Sequence, residues 1–316
     1  MKKILITGGS GYKGVVLIKK LIMLNYKIIN IDTNYFGNYF IRHKNVNNIK
    51  CDIRDIKKIN FKDIYACIHL AGIANDPMTD LNQSLSWEIT ALGTKLLMDK
   101  LVENNVKKII FASSGSVYGT KKKNEIVSEK IELNPMSTYN KVKMVTENII
   151  LSYAKDIKVV IIRPATVCGF SPRMRLDLTV NLLTFQALKN KKIIVFGGNQ
   201  TRPNVHIEDI VNTYIFFLKR NITGIFNVGF ENYTIIQIAK IITNYVDAEI
   251  FVKKDMHDPR SYFLDSSKLL KTGFKPKKGI KDAIKELKHF YDNKILQDKK
   301  NYHSIKWLKQ NIKKFL

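Results

Sequence analysis

A short apolar run, Lys2 to Thr7, ends in Gly8-Gly9-Ser10-Gly11-Tyr12-Lys13-Gly14 and passes directly into a helical pattern from Val15 to Asn25. Strand, glycine-rich turn and helix in that order form a phosphate-binding βα unit, because the first N–H groups of the helix have no partner within it and face an anion. Glycines at 8, 11 and 14 let the backbone approach a pyrophosphate and let the helix pack close to the strand. The next apolar run, Lys27 to Ile31, ends at Asp32. A carboxylate about twenty residues beyond the glycines accepts hydrogen bonds from an adenosine ribose. No Arg follows Asp32 closely, and the carboxylate repels a 2′-phosphate, so the dinucleotide expected here is NAD rather than NADP.

Apolar runs continue to alternate with helical patterns, the signature of a parallel sheet covered on both faces. Strands are expected at 2–7, 27–31, 46–51, 64–70, 107–113, 157–163 and 192–196, with long helices from Ser84 to Glu103 and from Ser137 to Ala154. The fold class expected is α/β, a Rossmann-type doubly wound parallel sheet with a smaller C-terminal substrate-binding lobe. Residues 1–165, with a returning segment at about 206–223, form the NAD-binding part. Residues 166–316 supply mainly the lobe, drawn from about 165–205 and 224–275, and the C-terminal helices. Strand 107–113 delivers Ser114 at its C-terminal end, where open α/β sheets bind ligands. The helix after Pro135 brings Tyr139 and Lys143 to the same edge, one turn apart on one face. An unperturbed Tyr titrates near pH ~10 and an adjacent cation favours its ionised form, so such a tyrosine exchanges a proton with a substrate alcohol near neutral pH.

Composition narrows the function classes. Hydrophobic residues make up 45% of 316 positions, ample for a core, and no apolar run of membrane-spanning length occurs. The Met-Lys-Lys start is broken at once by glycine and polar residues, unlike a secretion signal. Cys51, Cys67 and Cys168 have no metal-ligand spacing, so a reduced, cytoplasmic protein without a metal is expected. The net charge of +26 is spread over the chain. Its densest runs, Lys121-Lys122-Lys123 and Lys277-Lys278, lack interleaved aromatics, which argues against a nucleic-acid partner. The charge raises encounter rates with anionic nucleotides.

Six motifs in order resemble the extended short-chain dehydrogenase/reductases, and among them the nucleotide-sugar epimerase/dehydratase group. These are Thr7 to Gly14, Asp52 in Cys51-Asp52-Ile53-Arg54-Asp55, His69-Leu70-Ala71-Gly72, Ser113 to Gly119, Tyr139 with Lys143, and Arg163-Pro164-Ala165-Thr166. The resemblance runs from residue 1 to about residue 290. It implies that Ser114, Tyr139 and Lys143 are the catalytic set, with Lys143 also on the nicotinamide ribose. It implies that Gly8, Gly11, Tyr12, Lys13, Gly14, Asp32, Asp52, Ile53, Leu70, Ala71, Gly72 and Pro164 hold NAD, with Asp52 toward the adenine. The resemblance further places Ser114, Ser116, Asn181, Arg202 and Arg260 on a nucleotide-sugar substrate, the arginines gripping its diphosphate. Arg173 and Arg175 are expected to order their loop, and His206 to be structural. Relatives often form homodimers through a bundle of the Ser84–Glu103 and Tyr139 helices.

Departures from the family pattern narrow the reaction. Gly115 and Ser116 stand where dehydrating relatives carry Asp-Glu, and decarboxylating relatives place Glu where Ser116 is. No Cys lies in this loop, as 3,5-epimerases require. Tyr-dependent alcohol oxidation and ketone reduction remain, usually at C4 of the sugar. The expected activity is a UDP- or GDP-sugar 4-epimerase working through a transient 4-keto sugar. The Phe170-to-Asn181 segment resembles GDP-heptose 4-dehydrogenases, which keeps a 4-dehydrogenase or 4-keto reductase open, and a non-catalytic NAD- or RNA-binding protein of this fold is a third class. Lys13 replaces an apolar residue, Cys168 a Tyr and Thr90 an Asn. Lys13 either neutralises a phosphate or faces solvent, while Cys168 is expected to be a buried structural thiol.

Overall fold

The computed structural model describes residues 1–121, 125–253 and 261–312. Seven parallel strands lie in the order Gly224–Val228, Lys158–Pro164, Lys108–Ala112, Ile64–His69, Lys3–Thr7, Lys27–Asp32 and Val46–Lys50. The chain starts in the middle of the sheet, winds outward to one edge, then crosses back and fills the other side. The direction reverses between Lys3–Thr7 and Ile64–His69, and the crevice beyond the C-terminal ends of these strands is where such sheets bind ligands.

Alternation of side chains along each strand divides the core. Ile4, Ile6, Ala66, Ile68, Ile110, Val160 and Ile162 join one buried cluster, while Leu5, Cys67, Ile109, Phe111, Val159 and Ile161 join another. Helices Tyr12–Met23 and Ile207–Lys219 cover the first face, and Gly93–Glu103 with Thr138–Ser152 cover the second. Strands buried on both faces read as continuous apolar runs, which is why the inner strands were legible in sequence; the edge strand Val46–Lys50, half-exposed and carrying two Asn, was also expected.

The seventh strand, Gly224–Val228, falls in a stretch expected to belong to the lobe, so the chain's return to the sheet extends past 223 to Val228. Its sequence, Gly-Ile-Phe-Asn-Val, is short and opens with glycine at the sheet edge. Conversely, the expected strand 192–196 forms but pairs only with Glu249–Lys253 in a separate two-stranded sheet. A third cluster, with Val180, Leu183, Ile238, Ile242, Ala283 and Ile284, unites helices Thr179–Asn190, Ile235–Thr243 and Ile280–Asp292 around that pair. A three-stranded sheet of Glu231–Thr234, Thr201–His206 and Thr166–Cys168 lies between the two regions in sequence.

The helix expected over 84–103 runs from Gln83 to Glu103 with a π turn at Trp87–Leu92. Thr90, the substitute for Asn, sits in that turn, where its Oγ1 accepts from the Ile73 N–H at 3.2 Å. The C-terminal helix Ser304–Asn311 docks on the loop after the second strand, with Leu308 buried. Trp307 Nε1 donates to Tyr35 O at 2.7 Å and Asn301 Nδ2 to Phe36 O at 2.6 Å. No helix among the described residues is long and apolar enough to cross a membrane.

Candidate active site

A cavity of about 540 Å³ opens at the reversal point of the sheet. Its first wall is the glycine turn. Gly8 has φ +73°, and a Cβ there would lie 2.7 Å from Ala71 N. A Cβ on Gly14 would lie 2.5 Å from Gly9 Cα, so its absence lets the helix Tyr12–Met23 begin against the turn. Asp32 ends its strand beside this turn, accepting from Ser10 N at 2.9 Å and Asn34 N at 2.8 Å. Burial raises its pKa, and these two N–H groups together with the Arg173 charge oppose the rise. Leu70, Ala71, Gly72, Ile53 and Pro164 also line the cavity.

Asp52 lines it too, yet its carboxylate is already engaged. Oδ1 accepts from Arg54 N at 2.9 Å and Arg54 Nε at 3.1 Å. Oδ2 accepts from Tyr35 OH at 2.9 Å and Arg54 Nη2 at 3.1 Å. Four donors match the roughly four lone-pair sites of a carboxylate. An adenine amino group reaching Asp52 therefore displaces one of them or uses the backbone nearby.

Ser114, Ser116, Tyr139 and Lys143 line the opposite wall. Ser114 leaves the sheet one residue after Ser113 and caps the short turn Gly115–Tyr118, its Oγ lying 2.8 Å from Ser116 Oγ. Ser137 caps the helix Thr138–Ser152, which sets Tyr139 and Lys143 on its first turns. Ser114 and the Asn75 backbone N–H lie near enough to the Tyr139 phenol to favour its ionised form. Burial nonetheless pushes the Tyr139 pKa up, reinforced by Asp76 and opposed by Ser114, Arg175 and Asn75. Lys143 Nζ donates to Ala112 O at 3.0 Å, and the Arg175 charge opposes the rise in the Tyr139 pKa. Lys143 itself is drawn down to about 8 by burial, against which Glu147 holds it up. His69, behind this wall, lies between Thr7 Oγ1 at 2.6 Å and Thr94 Oγ1 at 2.8 Å, and burial lowers its pKa to about 3, which keeps it neutral.

Glu147 and Asn75 are absent from the sequence expectations. Glu147 lies one turn beyond Lys143 on the same face and is buried against Arg163, with contacts of 3.0 Å to Nε and 2.6 Å to Nη2. Ser113 Oγ also donates to it, and Arg163 Nη1 reaches Tyr118 OH at 2.8 Å. The stripe Tyr139, Lys143, Glu147 at intervals of four was the available signal. Asn75 holds φ +72° with ψ 161°, outside the left-handed helical well and in a strained region nearly confined to glycine, and Asn-Asp-Pro marks the turn.

The substrate expectations divide. Arg202 lines the cavity, whereas Arg260 lies outside the described residues. Asn181 does not line it: fully buried, its Oδ1 accepts from Gly169 N at 3.0 Å while its Nδ2 donates to Tyr12 OH and Arg175 O, each at 3.0 Å. Its polar atoms are engaged in holding the loop, together with Tyr12 OH, which donates to Gly169 O at 2.6 Å. Arg173 and Arg175 order this loop as expected, Arg173 through Met174 O and Ser304 Oγ, Arg175 through Asp177 at 2.6 Å. Both also line the cavity. His206 caps the helix Ile207–Lys219 and meets Glu286 at 3.2 Å, a structural role. Cys168 is fully buried, its thiol pKa raised by burial.

Comparison with known proteins gives the same picture. Residues 4–229 match the model of the NAD dependent epimerase/dehydratase family. A Methanocaldococcus jannaschii protein provisionally named as a UDP-glucose 4-epimerase is 31% identical, over 92% of this chain and 98% of its own length. UDP-glucuronic acid decarboxylase 1 of Xenopus tropicalis is 27% identical over 99% of this chain and 77% of its own. Among solved structures, the UDP-glucose 4-epimerase of Thermotoga maritima with UDP-glucose superposes with a TM-score of 0.84 at 25% identity, covering 93% of this chain and all of that one, 100%.

Proposed function

The chain belongs to the NAD-dependent epimerase/dehydratase family of extended short-chain dehydrogenase/reductase enzymes, and from that premise we propose that it is a nucleotide-sugar 4-epimerase. One observation carries the reading. Ser114, Tyr139 and Lys143 line the same cavity as the glycine turn and Asp32, with no carboxylate at positions 115 and 116. NAD fits this cavity: the turn leaves a backbone cradle that a Cβ would fill, and the Asp32 carboxylate sits at the rim. Bound there, NAD would supply a reversible hydride acceptor for the sugar carbon.

The protein's own groups handle the proton. Tyr139 takes the C4 hydroxyl proton as the C–H hydride leaves, so the alcohol becomes a ketone and no atom is lost. The same phenol returns the proton when hydride comes back to the other face. Ser114 and the Asn75 N–H stabilise the phenolate form, and Arg175 adds its charge. Burial opposes that ionisation, and it is these groups that must offset it for Tyr139 to act as the base of the first step. Lys143, fixed by Ala112 O, lies close enough to His69 and Lys13 for its charge to lower both pKa values. Without a second acid/base pair after Ser114, the intermediate ketone is not carried on to elimination or decarboxylation. The relatives point to a UDP-linked hexose, and Arg202, which lines the cavity, is our candidate for a substrate phosphate.

Incubation of the purified protein with a panel of nucleotide hexoses and heptoses tests this reading. A C4 epimer formed without net NADH is the expected result. Accumulation of a 4-keto sugar with stoichiometric NADH instead assigns a 4-dehydrogenase and overturns the epimerase.

A further inference from the structure

Lys13 stands in the glycine turn where the family pattern has an apolar side chain. It is half-buried. It lines the cavity, with Nζ 5.9 Å from the Tyr214 ring centroid. Among the described residues it has no hydrogen bond or ion pair. The charges that bear on it are Lys143, on the helix Thr138–Ser152, and Arg175, on the 169–178 loop, and both repel it. Tyr214, fully buried on the helix Ile207–Lys219, faces it as a neutral ring, and neighbouring Tyr12 directs its hydroxyl to Gly169 O. Four carboxylates line the cavity: Asp32 is held by Ser10 and Asn34, Asp52 by Arg54 and Tyr35, and Asp177 by Arg175, while the Asp76 charge bears on Tyr139. Burial first, then the two cations, lower the Lys13 pKa to about 7.

A lysine held inward among cations is costly unless an anion joins it. The glycine turn beside it is built for one. We propose that Lys13 binds the diphosphate of the dinucleotide, adding a mobile side-chain charge to the backbone N–H groups of the turn. This rests on the NAD reading above and goes beyond it, because the family pattern leaves that contact to the backbone. It also makes cofactor binding a protonation event. Below neutrality the ammonium is already charged when the dinucleotide arrives. Above neutrality the anion must recruit a proton with it, so affinity falls as pH rises.

Isothermal titration of NAD into the full chain stripped of nucleotide, at about pH 6 and about pH 8 in buffers of different ionisation enthalpy, reads both affinity and proton uptake. For the wild type the dissociation constant is expected to rise by up to about tenfold per pH unit above neutrality, with proton uptake at the higher pH. Lys13→Met is expected to bind about tenfold more weakly at the lower pH, as loss of one charge-assisted contact predicts, and to show no uptake. Lys13→Arg, permanently charged, is expected to restore affinity without the pH dependence, which separates a charge contact from a folding defect. Unchanged affinity and unchanged proton uptake in Lys13→Met overturn the proposal. Failure of the wild type to bind NAD at either pH overturns the NAD reading itself and the Lys13 contact with it.

Discussion

Replacing Glu147 by Met tests whether the buried pair behind the catalytic wall is structural, catalytic or both. Glu147 and Arg163 side chains are 2% and 4% exposed, and the pair is bidentate. Removing the carboxylate strands the guanidinium, with only Tyr118 OH and the Tyr118 ring near it. Breaking a buried pair from one side costs about 3–5 kcal/mol. For a chain of this length that corresponds to a fall in melting temperature of roughly 5–8 °C. The double variant Glu147→Met/Arg163→Met removes both charges and is expected to recover most of that loss, since apolar replacement of a whole buried pair is often near neutral. The second readout is catalytic. Glu147 helps keep Lys143 charged, and Lys143 stands near 8 with it present. Without Glu147 the lysine deprotonates at lower pH, so the alkaline limb of kcat/KM shifts toward acid. Calorimetric melts and a pH–rate profile on the single and double variants provide the measurements. A double variant no more stable than the single, together with an unmoved alkaline limb, refutes the reasoning.

Three further outcomes are expected. Tyr139→Phe keeps NAD and nucleotide-sugar affinity but lowers turnover by about 10²–10⁴, the usual worth of a positioned acid/base, as measured by single-turnover reduction of bound NAD. Gly14→Ala loses NAD binding in a titration, because the new Cβ lies 2.6 Å from Gly9 O, a backbone atom that cannot swing aside. Asp32→Ala narrows the preference for NAD over NADP in parallel titrations, by removing the charge that repels a 2′-phosphate and a ribose acceptor together.

The site was legible in sequence where its chemistry is local. Glycine spacing, a strand-terminal Asp32 and the four-residue interval from Tyr139 to Lys143 all depend on neighbours along the chain, and the structure brings these residues to one cavity. What sequence did not disclose depends on partners brought from afar. Glu147 looks like a solvent-facing helix charge until Arg163 arrives from the next strand. Lys108 opens an apolar strand, yet it is buried, and its Nζ donates to Phe217 O at 2.9 Å at the end of a helix more than a hundred residues later. Asn181 was read as a substrate contact because the resemblance puts an Asn of similar proteins at its position. Only the folded loop reveals that Tyr12, Gly169 and Arg175 use up its polar atoms. Strand 192–196 formed as read, but no local property states which sheet a strand will join.

The docking of Ser304–Asn311 on the loop after the second strand bears on how the protein is made. The cavity is walled by Thr7 to Gly14 at one extreme of the sequence and by Ser304, Ile305 and Leu308 at the other. During synthesis the glycine turn emerges well before Ser304, Ile305 and Leu308 and waits for the wall they form. A nascent chain therefore passes through a long interval with its sheet assembling and its dinucleotide pocket still open to water. Stabilisation by the cofactor, which accrues only to a completed site, arrives as the final event of folding.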